Sequence, residues 1–227
     1  MIKIRFLYYG TRKDGKLMDD LIGRTTHAAN KKRMIADGFD PSTVPKLAHG
    51  EVELPIFDGM VTSLCYTSTM GQMRDRGILG NLFKKGDGTI CRPISEVLTH
   101  PERWYYIDVM VSDVVFAMVE SYLKLEVANN AGYDFCCILS FLCGVRFHSS
   151  KKNICSEVQH RVAILIGKNM PNDLRLGCYA RQYANIWNDV PSPILQMLNM
   201  VSCGYTLRRC IDGSIVLGEC YEDDVTT

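Results

Sequence analysis

The chain has 227 residues, 47% of them hydrophobic and 22% charged, a composition that fits one sizeable core and excludes a disordered chain. Lysine and arginine number 26 against 25 aspartate and glutamate residues, for a net charge of +1. That balance excludes a nucleic-acid or membrane-surface binder whose affinity rests on a basic field.

The ten cysteines include no CxxC pair and no Cys/His cluster with zinc-finger spacing, so neither a metal site nor a cofactor is expected. The opening MIKIRFLYYG reads as a strand rather than an export signal, so the thiols are expected to be reduced and the compartment cytosolic. The longest apolar run, residues 135–145, is too short to span a bilayer.

In chain order, residues 2–9 alternate as a strand, and residues 17–37 are helical, with Leu17, Leu21, Ile22 and Met34 as apolar positions before Gly38 and Pro41. Residues 47–56 (LAHGEVELPI) alternate, with His49, Glu51 and Glu53 on one face and Val52 and Leu54 on the other. Asp58-Gly59 is a turn, and residues 60–67 return as the second strand of a hairpin. Residues 71–87 are polar, basic and glycine-rich and read as an exposed loop or insertion, with Arg74, Arg76, Lys84 and Lys85 solvated. Strands follow at 88–94 and 104–110. A helix is expected over 114–129, capped by Ser112 or Asp113, with Val115, Met118, Val119 and Tyr122 as its apolar face. Residues 135–142, 155–166 and 191–200 read as further helices. A hairpin over 205–221 turns at Asp212-Gly213, between strands at 205–211 and 214–221. No repeat or low-complexity linker divides the chain, so residues 1–227 read as one α+β domain.

The stretch over residues 133–157, YDFCCILSFLCGVRFHSSKKNICSE, carries the most chemistry. It delivers Cys155 to the first turn of a helix, where free N–H groups and the helix dipole stabilise a thiolate; Lys151 and Lys152 add positive charge. Thiol catalysis also needs an imidazole and a polar group that orients it. His49 is the candidate base, and Glu51 or Glu53 the candidate orienting group. Ser68 is a further candidate orienting group on the next strand. His27 and His148 are alternative bases, while His100 reads as a turn residue and His160 as a helix-surface one. Against these stand the plain readings: a buried structural cysteine, a strand-end histidine and a solvated pair of glutamates.

An ordered series of fragments adds to this. It runs MIKIRFLYYG, Asp20-Leu21-Ile22, Gly50-Glu51-Val52-Glu53-Leu54 with Asp58-Gly59, and Cys65-Tyr66-Thr67-Ser68. It continues with Ile90-Cys91-Arg92-Pro93-Ile94, Pro101-Glu102-Arg103-Trp104, Tyr133-Asp134-Phe135 and Cys155-Ser156-Glu157. In this order the chain resembles the circularly permuted, NlpC-like branch of the papain fold, especially its small bacteriophage versions, over roughly its first 160 residues. The resemblance implies an antiparallel sheet packed against helices, with the cysteine helix following the sheet, and insertions near 31–46 and 71–87. It implies a cysteine peptidase, amidase or acyltransferase with Cys155 as nucleophile. The substrate would be a peptide, an isopeptide, a cell-wall amide or a lipid ester. The family's histidine position holds Glu51, and His49 lies two residues earlier on the same strand face, so His49 serves if the strand slides or carries a bulge. The alternative is an inactive module of the same fold that acts as a virion structural or host-interaction protein. The expected location is the host cytoplasm or the virion.

Overall fold

The computed structural model describes residues 1–11, 17–56, 63–69, 88–129, 132–134, 154–170, 174–183 and 191–218. The expectations for the turn at Asp58-Gly59, the loop at 71–87, the helix at 135–142 and His148 lie outside these residues.

The described elements are β1 (Ile2–Gly10), α1 (Leu17–Ala36), β2 (Leu47–Pro55), β3 (Ser63–Thr69), β4 (Gly88–Pro93), the single turn α2 (Ile94–Val97) and β5 (Trp104–Val111). A short 3-10 turn (Pro101–Arg103) leads into β5. They continue with α3 (Asp113–Asn129), α4 (Cys155–Asn169), α5 (Leu174–Tyr183), α6 (Pro193–Ser202), β6 (Leu207–Arg209) and β7 (Ile215–Leu217). The strands form one seven-stranded sheet in the order β4-β3-β2-β1-β5-β6-β7, and every described pairing is antiparallel. The fold class is therefore α+β. Within the described residues no helix is long and apolar enough to cross a membrane.

Period-two alternation gives the sheet two apolar faces. Ile4, Phe6, Tyr8, Val52, Leu54, Ile107 and Val109 join the large core formed with the helices. Leu7, Cys65 and Trp104 form a smaller cluster with Val97 of α2. Helix α4 lies against β2 and β3. Its Cys155, Val158, Val162 and Ile166, spaced by three or four residues, are all nearly or fully buried, so one apolar stripe carries the cysteine onto the sheet. Each buried aliphatic side chain in that stripe stabilises the docking by about 1.5–3 kcal/mol. Gly50 leaves room for this contact: a Cβ there would lie 2.0 Å from the side-chain oxygen of Gln159 on α4, which would have to move. Gln159 in turn donates to the backbone carbonyls of Leu7 (2.9 Å) and Glu51 (3.0 Å), tying helix to sheet.

Several expectations need correction. The buried face of α3 is Val115, Phe116, Val119 and Leu123, while Met118 is exposed, so the face is rotated from the expected one. Ser112 does cap α3, accepting from the Val115 N–H at 3.3 Å. Leu21 of α1 points outward. His160 is buried rather than on the surface, because α5, which the sequence reading left unassigned, packs over α4. The two helices approach closely at Gly167, where a Cβ would lie 2.2 Å from the Leu176 carbonyl oxygen.

Candidate active site

Cys155 is the first residue of α4, with Ile154 as its N-cap, and only 2% of it is exposed. Ile154 has no side-chain acceptor to offer the first turn. Glu157 compensates by accepting the Ile154 N–H at 3.4 Å, and it is itself held by Arg161 at 2.5 Å. The Cys-Ser-Glu sequence thus carries its own helix start.

His49 approaches from the sheet. The β1–β2 ladder pairs Tyr9 with His49 and then Gly10 with Leu47, so the register shifts and Ala48 is passed over. This irregularity lies beside the expected histidine. Tyr9 is also paired with Trp104 on β5, which sets His49, Tyr9 and Trp104 in one row across three strands. The Trp104 indole stands edge-on to the imidazole at 6.4 Å between ring centres, and Tyr9 lies 5.3 Å from Trp104.

The hydrogen bonds fix the imidazole's tautomer. His49 Nε2 lies 3.2 Å from Glu51 Oε1 and 3.3 Å from Thr67 Oγ1. The single Thr67 hydroxyl proton goes to the Gly50 carbonyl at 2.7 Å, so toward His49 the hydroxyl is an acceptor. A carboxylate is also an acceptor. Nε2 must therefore carry the hydrogen, and Nδ1 is left to exchange a proton with sulfur. The Cys155 thiol is close enough to the imidazole to act on its charge. Burial alone would push the His49 pKa down. The charge and hydrogen bond of Cys155, followed by those of Glu51, outweigh it and raise the pKa from 6.5 to about 10.

Glu51 is fully buried, which corrects its reading as a solvated strand residue. Burial would push its carboxyl up, but bonds to His49 and to the Arg92 guanidinium on β4 hold its pKa below the usual carboxylate range. The thiol of buried Cys65, paired across the sheet with Glu53 and Arg92, is pushed well up by desolvation and by the negative charges of Glu51 and Glu53.

The other candidates lie elsewhere. Glu53 accepts from Ser63 Oγ at 2.7 Å and faces Arg5 at 3.7 Å, so it belongs to a separate ionic row with Asp108. Ser68 is buried, but strand alternation turns its neighbour Thr67, not Ser68 itself, toward His49. The His27 ring nitrogen is bonded to the Pro41 carbonyl at 3.0 Å, in the turn after α1. The sequence reading gave no role to Arg92, Thr67 or Trp104; only their places in the ordered fragments marked them. A cavity of about 380 Å³ on the sheet, lined by Lys3, Arg5, Glu53 and Ser63 among others, does not include Cys155 or His49. No group of three side chains suited to a metal ion occurs among the described residues.

Comparison with known proteins gives no family to set beside this geometry: no family model matches the chain, and no curated protein or solved structure is significantly similar to it.

Proposed function

We propose that the chain is a thiol hydrolase or acyltransferase of permuted papain-like, NlpC-like design, acting on an amide or ester carbonyl. Cys155 is the nucleophile, His49 the general base and acid, and Glu51 the group that orients the imidazole. One observation carries the reading: the His49 ring has one nitrogen held by a buried carboxylate, and its proton affinity is raised by the Cys155 thiol at the helix start, as a thiol–imidazole couple requires. The Cys155 thiol passes its proton to His49 Nδ1, and the sulfur bonds to the carbonyl carbon. The first-turn N–H groups of α4 face the oxyanion that develops. The imidazolium returns the proton to the departing amine or alcohol, leaving a thioester. Water, or an acceptor nucleophile in the transferase case, cleaves the C–S bond with His49 again taking the proton. The substrate class (a peptide, a cell-wall amide or a lipid ester) and the phage setting come from the resemblance.

The test is alkylation with limiting iodoacetamide at mildly acidic pH, mapped by mass spectrometry on the folded protein, with Cys155→Ala as control. Cys155 is expected to react ahead of the other cysteines. Equal reactivity across the cysteines would remove the nucleophile and leave the alternative reading, an inactive module in a virion or against a host protein. A panel of amides and esters on the active and Cys155→Ala proteins then identifies the bond cleaved.

A further inference from the structure

Four groups from two strands and one helix meet in the site. Arg92 is on β4, Glu51 and His49 are on β2, and Cys155 begins α4. Arg92 donates to the same Glu51 oxygen, Oε1, that accepts from His49 Nε2. Its side chain is 31% exposed, whereas that of Glu51 is fully buried. Each contact joins opposite charges when the thiol–imidazole couple is ionised: guanidinium, carboxylate, imidazolium, thiolate. Two positive and two negative charges sum to zero. A buried set of charges is tolerated when it is paired in this way and becomes costly when one member is removed.

Among the described residues, the charged and titratable neighbours do not supply a substitute cation. Cys65 on β3, opposite Glu53 and Arg92 in the ladder, resists ionisation. Glu53 on β2 is committed to Ser63 and Arg5. Arg103, before β5, donates to the Tyr9 hydroxyl at 3.1 Å. Glu96 on α2 is exposed.

Resting on the reading of Cys155 as nucleophile, we propose that Arg92 is a positioning residue that acts through Glu51, neutralising the buried relay so that the thiolate–imidazolium pair is favoured. Without Arg92 the relay carries one excess negative charge, and the cheapest correction is to leave the thiol protonated. Without Glu51 it carries one excess positive charge, and the thiolate persists to lower pH. With both charges gone the balance returns.

The experiment is the pH profile of Cys155 alkylation by iodoacetamide in the full chain. Arg92→Gln is expected to move the acid limb up by about one pH unit, a roughly tenfold slower reaction on that limb. Glu51→Gln is expected to move it down, and the Arg92→Gln/Glu51→Gln double variant to lie close to the wild type. Arg92→Lys keeps the charge and should stay within about twofold. Should Arg92→Gln fail to fold, the double variant and Arg92→Lys carry the test, compared with Glu51→Gln. Parallel limbs in all variants would overturn the role of Arg92, since a merely structural arginine does not shift the profile of the folded protein. Failure of the underlying reading is distinguishable, because Cys155 of the wild type would then show no reactivity above the other cysteines.

Discussion

His49 and His160 sit near opposite ends of one chemical scale, though both are largely enclosed by protein. His160, on α4 five residues after Cys155, packs against Tyr179 with Nδ1 2.8 Å from the phenol oxygen. Burial, followed by the nearby Arg161 charge, pushes its pKa down to about 4. His49 is also penalised by desolvation, though its side chain is 24% exposed, yet its neighbours are a thiol and a carboxylate, and its pKa rises to about 10. The rings are framed alike, one against Trp104 and one against Tyr179. Enclosure by itself therefore makes a histidine a neutral packing piece. Acceptors aimed at its nitrogens make it a charge carrier.

Exchange of each ring for asparagine tests this contrast most severely. His49→Asn removes the proton acceptor for sulfur, and the rate of Cys155 alkylation at mildly acidic pH is expected to fall by about 10²-fold or more. His160→Asn should leave that rate within about twofold, and its cost should appear instead as lost stability of about 2 kcal/mol in urea titrations. Equal loss of reactivity in the two variants would mean that general loosening of α4, not the imidazole at β2, governs the thiol.

Gly50→Ala comes next, because it separates the docking of α4 from the chemistry. The added methyl collides with Gln159, whose amide holds the Leu7 and Glu51 carbonyls. Overpacking of this kind costs about 1–3 kcal/mol, read as a lower urea midpoint. Cys155 should slow with it, since the helix start is displaced from His49. Full reactivity in a destabilised Gly50→Ala protein would show that the helix start holds its place without this seam.

The two histidines also predict opposite pH limbs of stability. The His160 pKa is lowered from 6.5 to about 4, so its contribution is complete above 6.5 and is lost as pH falls through 4. The His49 pKa is raised from 6.5 to about 10, so its contribution is complete below 6.5 and is lost as pH rises toward 10. Melting temperature against pH should flatten on the acid side in His160→Gln and on the alkaline side in His49→Gln, with each kcal/mol worth about 2–4 °C in a chain of this size. Flattening of the same limb in both variants would contradict the assignment.

The strands and the cysteine helix were legible because their signals are local. Alternation marked β1 and β2, and a three-and-four spacing placed Cys155 at the head of an apolar stripe. His49 and Glu51 shared a face by period two alone. What sequence could not place was any partner set by pairing across distant strands. Arg92 meets Glu51 from 41 residues away, beyond a glycine-rich segment. Thr67 rather than Ser68 faces His49 because a one-residue change of register reverses every side chain. His160 read as a surface residue because nothing in LRLGCYARQY announced the helix that covers it.

The mildest change concerns Thr67. Its hydroxyl is spent as a donor to the Gly50 carbonyl and stands as an acceptor to His49 Nε2–H. Thr67→Val keeps the volume and removes both bonds. Glu51 still accepts from Nε2, so the tautomer survives and the pH profile of alkylation should keep its limbs. The rate should fall only about two- to fivefold, with about 1 kcal/mol of stability lost through the unpaired Gly50 carbonyl. Thr67→Ser should restore both, because it returns the hydroxyl without the methyl. A Thr67→Val protein whose acid limb moved with its rate would instead place Thr67 inside the charge relay, beside Glu51 rather than behind it.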